Sequence, residues 1–126
     1  MKACYVDTSC LVAIAFGEPG GGELAERLSS FDLVLSSILL EAELRSALAR
    51  EEVRGADVLL AAVAWILPDR RLTPEIDRVM GIGYARGADL HHLACALFAA
   101  ESPRDLPFLT LDTSQGALAS KLGFPG

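Results

Sequence analysis

Short apolar runs typical of buried strands alternate along this chain with segments of helical spacing. Such runs occupy residues 3–6, 33–35 and 108–111, and residues 70–72 form a plausible short strand. Helical segments separate these runs, which predicts parallel pairing through right-handed crossovers. The predicted fold is therefore α/β, a three-layer α/β/α sandwich with a central parallel sheet of four or five short strands.

The segments between the runs carry the spacing and end signals of helices. Ser36 and Ser37 offer N-caps for a long helix, Thr73-Pro74 is a helix start, and Gly123 is a C-cap. The segment from residue 74 is interrupted by two glycines and ends near residue 87. The other predicted helices cover residues 11–16, 23–28, 38–52, 57–66, 90–99 and 114–122.

Length and composition limit the class of protein. The 126 residues predict a single domain, residues 1–126, and a hydrophobic fraction of 52% supplies ample material for one core. No apolar run reaches the roughly 18 residues of a membrane span, and the first residues lack a signal-peptide pattern. Cys4, Cys10 and Cys95 have no metal-ligand spacing, so we expect buried thiols in a reducing cytoplasm.

The charged residues argue both against and for binding of nucleic acids. The net charge of −6 argues against non-specific binding, which depends on cations that contact phosphates. Arginines nevertheless cluster in two regions, and a basic rim and a solvated face remain equally open interpretations. The clusters are Arg45, Arg50 and Arg54, and Arg70, Arg71, Arg78 and Arg86.

Three aspartates stand where helices are predicted to begin. Asp7 and Asp112 directly follow apolar runs, and Asp89 precedes the helix at residues 90–99. Because parallel strands gather their carboxyl ends at one edge of a sheet, where ligands bind, these acids are expected to converge in one pocket.

Two simpler explanations compete with a shared acidic pocket. Aspartate at a helix start is often a plain cap, worth about 1 kcal/mol, although hydroxyl residues beside Asp7 and Asp112 could cap instead. In the long helix, Glu41 and Glu43 point about 200° apart, so only one of them can face a pocket. Spacing alone does not decide which.

Convergent carboxylates favour one type of chemistry. They repel one another unless a cation is present, and Mg²⁺ or Mn²⁺ prefers oxygen ligands. Such a metal ion activates water for phosphodiester hydrolysis. His91 and His92 are adjacent and cannot chelate one ion from a helix, and no zinc spacing or phosphate-binding loop is present.

Four segments together resemble PIN-domain ribonucleases, in particular the VapC-type toxins of bacterial toxin–antitoxin pairs. Residues 5–9 resemble the first motif, a strand that ends in Asp with a hydroxyl residue two positions later. Residues 37–48 resemble the second, in which the acid directly before Leu-Arg is the metal-site Glu, matching Glu43. Residues 88–96 resemble the third motif, and residues 109–112 with 119–124 resemble the fourth.

The resemblance carries a set of functional expectations. It implies Mg²⁺- or Mn²⁺-dependent hydrolysis of RNA, a homodimer, and a cognate antitoxin protein that inserts into the acidic groove. Asp7, Glu43, Asp89 and Asp112 correspond to the catalytic metal ligands, and Ser9 to a hydroxyl that supports them. Many relatives continue past the equivalent of residues 122–124 into an edge strand, which leaves the fifth strand open.

Rival functions fit the residues less well. A phosphoacceptor receiver domain needs paired acids after the first strand, but Val6 precedes Asp7, and the late Lys121 lies far along the last helix. A haloacid-dehalogenase-like phosphatase would need Asp at position 9, where this chain has Ser9. The main alternative is a catalytically silent PIN-like module that binds a protein or RNA.

Overall fold

The computed structural model describes residues 1–126 and contains four strands and seven α-helices. The strands are β1 (Ala3–Val6), β2 (Leu33–Ser37), β3 (Val63–Ile66) and β4 (Phe108–Leu109). The helices are α1 (Thr8–Ala15), α2 (Gly21–Ser29), α3 (Leu39–Arg50), α4 (Ala56–Leu60), α5 (Thr73–Met80), α6 (Gly87–Ala99) and α7 (Thr113–Leu122). None of these helices has the length and apolar character needed to span a membrane.

The four strands form one sheet in the order β3-β2-β1-β4, and every pair is parallel. This confirms the predicted parallel α/β class. The chain moves outward from β1 through β2 to β3, and then returns to the other side of β1 to form β4. The connections therefore diverge at the carboxyl ends of β1 and β4, where parallel α/β sheets bind ligands.

Side chains of β1 divide the core into two layers because successive residues of a strand point to opposite faces. Cys4 and Val6 pack against α1 and α3, where Leu44 is fully buried. Tyr5 faces the other side and packs with α6, including Leu93. Both faces of the sheet are thus covered by helices, which confirms the three-layer sandwich.

One predicted helix and one predicted strand are wrong. The helix predicted at residues 57–66 ends at Leu60, and Val63–Ile66 forms β3 instead, paired with β2. β-branched and aromatic residues favour this strand, and pairing beside β2 overrides the helical spacing. Trp65 is therefore half-buried in a strand. Residues 70–72 form no strand, because β3 already occupies the edge beside β2.

Six of the seven helices begin one to three residues earlier than predicted. α1 starts at Thr8 rather than at residue 11, because the side chain of Asp7 accepts a hydrogen bond from the backbone N–H of Ser9 and caps the helix directly. α6 starts at Gly87 and α7 at Thr113, each earlier than its hydrophobic pattern indicated. The predicted C-cap Gly123 is confirmed, with a left-handed φ of 102°.

Candidate functional site

Asp7 is a buried carboxylate at the carboxyl end of the central strand. Its side chain is 5% exposed and accepts hydrogen bonds from the N–H and hydroxyl of Ser9 and from the hydroxyl of Thr110. Burial raises the pKa of the Asp7 carboxyl above its ordinary value, and the hydrogen bonds from Ser9 and Thr110 offset part of that rise. The acid is held in place by donors from α1 and from the segment after β4.

The same two hydroxyls connect Asp7 to the start of α7. Ser9 Oγ accepts from the backbone N–H of Leu111 at 3.0 Å, and Thr110 Oγ1 accepts from the N–H of Asp112 at 3.0 Å. The Asp112 carboxylate caps α7 by accepting from the N–H of Gln115 at 3.0 Å. Asp7 and Asp112 both act as helix caps, although neighbouring hydroxyl residues were available for that role.

Glu43 lies on α3 and faces the interior, whereas Glu41 does not. Glu43 Oε1 accepts from the hydroxyl of Thr8 at 2.7 Å and lies 2.9 Å from Nε2 of His92. Glu41 is exposed and forms an ion pair with Arg45 at 2.8 Å. Of the two acids that spacing left undecided, Glu43 is therefore the one beside Asp7, through the adjacent Thr8.

A buried hydrogen-bond chain runs from β1 through α6 to Glu43. The Tyr5 hydroxyl lies 2.7 Å from Nδ1 of His92 and accepts from the N–H of Ser37 at 3.2 Å. The hydrogen bond from His92 is the main cause that lowers the pKa of Glu43, so Glu43 is ionised and only accepts. In the tautomer that satisfies both contacts, Nε2 of His92 donates to Glu43 and Nδ1 accepts from the Tyr5 hydroxyl. Every member of the chain then has a defined donor or acceptor role.

Asp89 and Asp112 line a common pocket of about 320 Å³. Asp89 is half-buried in the first turn of α6, and Asp112 is exposed at the start of α7. Gln115 joins the two helices, because its Nε2 donates to the backbone carbonyl of Asp89 at 2.9 Å. Asp112 follows the end of β4 by three residues, so the pocket adjoins the segment by which the chain leaves that strand.

The four predicted acids do not converge on one point. No group of three or more His, Cys, Asp or Glu side chains is placed to hold one metal ion. Asp89 and Asp112 share the pocket, while Asp7 and Glu43 are each bound by hydroxyl or imidazole donors beside it. Two of the four predicted acids, Asp89 and Asp112, therefore share one pocket. Asp7 and Glu43 do not line it, and their carboxylates accept hydrogen bonds from hydroxyl or imidazole groups instead.

Several residues of this network were missed by reasoning from the sequence. Thr8, Thr110 and Tyr5 were not singled out, and His92 was given only a minor place. Two signals were available. A tyrosine in a buried strand needs a partner for its hydroxyl, and His92 lies three residues after Asp89 on one helix face. His91 turns elsewhere, with Nδ1 2.9 Å from the hydroxyl of Ser37.

The fold and these acids define an α/β domain with a carboxylate-rich site at the carboxyl edge of its sheet. The family model of the PIN domain matches residues 4–121, and the chain belongs to the PIN domain family. PIN domains are generally nucleases that act on nucleic acids and use divalent metal ions. A search of curated proteins found no significant match to the chain.

The donor atoms at this edge suit a hard divalent cation. The side chains of Asp7, Asp89, Asp112 and Glu43 offer carboxylate oxygens, which Mg²⁺ and Mn²⁺ prefer over nitrogen or sulfur. All three cysteines are buried free thiols. Burial penalises the charged form of Asp7, and a nearby cation would favour that form. The residue types therefore fit the metal dependence that is general in the family.

We predict that Asp7→Asn raises the stability of the fold at neutral pH. Because the folded-state pKa of Asp7 is raised, the native state keeps a proton at pH values where the unfolded chain has lost it. Stability of the wild type then falls as pH rises above the ordinary value of 3.8, and the loss is complete above the folded pKa. Asparagine removes this dependence and can still accept from the N–H of Ser9.

Thermal unfolding of both proteins across the acid range tests this prediction, with the exposed Asp69→Asn as the matched control. The midpoint of Asp7→Asn should exceed that of the wild type by a margin that opens as pH rises and then stays constant. A variant that is less stable than the wild type at neutral pH would contradict it.

We also predict that His92→Leu destabilises the protein and that His92→Gln restores much of the loss. Leucine leaves the buried hydroxyl of Tyr5 and the carboxylate of Glu43 without their partner, at a cost of about 1–3 kcal/mol. Glutamine can donate to Glu43 and accept from Tyr5. Urea unfolding gives the stability, and carboxyl NMR should show the pKa of Glu43 rising only in the leucine variant. Equal stability of the two variants would refute the hydrogen-bond chain.

Proposed function

We propose that this protein is a metal-dependent ribonuclease formed by a single PIN-like domain, residues 1–126, and that it is the toxin of a type II toxin–antitoxin pair. The observation that carries the proposal is the buried Asp7 at the end of β1, hydrogen-bonded to the segment that leads to Asp112. A buried acid with a raised pKa at a sheet edge is typical of a functional site.

The four acids have distinct roles in this proposal. Asp89 and Asp112, which share the pocket, and Asp7 and Glu43 would supply the carboxylate ligands for Mg²⁺ or Mn²⁺. Ser9 and Thr110 orient Asp7, while Thr8 and His92 orient Glu43. When bound, the cation lowers the pKa of its water and stabilises the leaving oxygen of an RNA phosphodiester.

The surface charge favours a selective RNA substrate over general RNA binding. The net charge is −6, and Arg45 and Arg70 are each paired with acids. Arg86 lines the pocket that contains Asp89 and Asp112. Because the net negative charge weakens non-specific attraction to phosphates, binding would depend on specific contacts near the site.

The decisive experiment compares acids that share a helix. We predict that Glu43→Gln abolishes cleavage of a mixed RNA pool in Mg²⁺ or Mn²⁺, whereas Glu41→Gln, an exposed acid two residues away on α3, cleaves like the wild type. Asp89→Asn should also be inactive, since it removes a carboxylate from the pocket. Product sizes on denaturing gels provide the measurement.

Two outcomes would contradict the ribonuclease proposal. One is cleavage that persists in Glu43→Gln, in Asp89→Asn and in excess EDTA. The other is the absence of cleavage by the wild type on the RNA pool together with no binding of Mg²⁺ or Mn²⁺ by calorimetry, which would favour the alternative of a catalytically silent PIN-like binding module.

The proposed partners are a second copy of this chain and a cognate antitoxin protein. An apolar groove of about 200 Å³ beside β3 includes Val34, Leu59 and the 78%-exposed Val58, which suits a homodimer contact. The antitoxin would insert into the acidic groove at the other end of the sheet. The three free, buried cysteines suit the reducing cytoplasm that we propose as its compartment.

Sedimentation tests both partners together. We predict a dimer at micromolar concentration for the wild type, a shift toward monomer for Val58→Asp, and a larger complex when the product of the neighbouring gene is added. That product should also suppress RNA cleavage. A wild type that sediments only as a monomer would rule out the dimer, and a neighbouring gene product that neither binds nor inhibits would rule out the pairing.

A further inference from the structure

Two arginines without acidic partners line a second pocket, at the end of α7. The pocket has a volume of about 290 Å³ and is formed by Arg78 from the last turn of α5, by Ser102 and Arg104, and by the last residues of α7. Arg45 and Arg70 bind acids, whereas the exposed guanidinium groups of this pocket form no ion pair. The polar side chains of its wall are two cations and one hydroxyl, with no carboxylate among them.

Helix dipoles explain only part of this arrangement. Arg78 lies in the last turn of α5, where a cation stabilises the helix end, but Arg104 belongs to a 3-10 turn that is too short for an appreciable dipole. The carboxyl end of α7 is already satisfied, because Gly123 and Phe124 donate their backbone N–H groups to its last turn. Two like charges at one pocket repel each other, and an anion in the pocket removes that cost.

The arginine pocket lies along the same face of α7 as the pocket of Asp89 and Asp112. Leu118 lines the pocket of the acids, and Leu122 lines the pocket of the arginines. These two leucines are one helical turn apart, so they share a face of α7 and are separated by about 6 Å along its axis. Phosphates of one stacked nucleic-acid strand follow one another by about 3.4 Å. A strand along this face therefore reaches from one pocket to the other within a few nucleotides.

The helix that joins the two pockets carries no acid. α7 contains neither Asp nor Glu, although the chain has 17 acidic residues. Its exposed side chains are small or basic, namely Thr113, Ser114, Ala117, Ser120 and Lys121. A phosphodiester backbone that lies along α7 therefore meets no carboxylate of this helix before it reaches the arginines. In a chain with a net charge of −6, such a surface is favourable for a polyanion.

We propose that the arginine pocket binds a backbone phosphate of the RNA strand that is cut at Asp89 and Asp112. Arg78 and Arg104 hold the phosphate oxygens through charge-assisted hydrogen bonds, and the hydroxyl of Ser102 is a further donor. This inference rests on the proposed ribonuclease function and adds a second contact site to it. Because phosphate contacts carry no base information, the pocket contributes affinity and the position of the strand, and leaves sequence choice to the acidic site.

RNA binding in the absence of metal tests the pocket without relying on cleavage. A fluorescent single-stranded RNA pool of random sequence is titrated with protein in EDTA, and anisotropy is measured at several salt concentrations. The double variant with Arg78→Gln and Arg104→Gln should bind about 25-fold more weakly than the wild type at about 0.1 M salt, which is the counterion release of two phosphate contacts. The slope of log affinity against log salt should decrease in magnitude by about 1.4 for the same reason.

A second double variant controls for the change in net charge. Arg54→Gln with Arg71→Gln removes two exposed arginines that line neither pocket, and this variant should keep the affinity and the salt slope of the wild type. All four changes are at exposed positions, so folding is retained, which circular dichroism verifies. In a cleavage assay with Mg²⁺, only the variant of Arg78 and Arg104 should raise the KM for the RNA pool.

The outcomes separate this inference from the proposed function. Equal affinities and salt slopes of the two double variants, or a wild type that binds no RNA at low salt, would overturn the phosphate site even where the wild type cleaves RNA. A selective loss of binding in the variant of Arg78 and Arg104, in a protein that cleaves no RNA, would retain the pocket as an RNA contact and reject the nuclease proposal.

Discussion

The structure depends first on a carboxylate buried at the end of its central strand. A buried charge is unfavourable unless donors surround it, and the N–H and hydroxyl groups at Asp7 come from elements on both sides. Its cap on α1 sets the direction in which the chain leaves β1, and Thr110 joins β4 to the same point. The same hydrogen bonds that hold Asp7 thus also fix how α1 leaves β1 and how the segment after β4 lies beside it.

A second polar chain joins the two helical layers across the sheet. Tyr5 reaches His92 on α6, and His92 reaches Glu43 on α3, which packs on the opposite face. The position of Glu43 therefore depends on both layers. Tyr5 and Thr8, which lie on either side of Asp7 in the sequence, both help to position Glu43, Thr8 by a direct hydrogen bond and Tyr5 through His92.

The four acids at the carboxyl edge of the sheet form two pairs with different surroundings. The interior acids, Asp7 and Glu43, are bound by several donors and held rigidly. The pocket acids, Asp89 and Asp112, line the cavity instead. Membership of the PIN domain family, whose members are generally nucleases that use divalent metal ions, agrees with such an acidic edge. It also agrees with a site that binds a cation and nucleic acid from the open side.

The sequence by itself determined the parallel α/β class, because alternating apolar runs and helical segments leave few other topologies, and it located β1, β2 and β4 closely. Only the tertiary structure decided that Val63–Ile66 is a strand, since its pairing with β2 outweighs local spacing. Packing of Leu40, Leu44 and Leu48 likewise turned Glu43 toward Thr8 and left Glu41 in solvent. Local patterns specify which residues share a face, but which side chains meet across elements depends on packing that no local pattern contains.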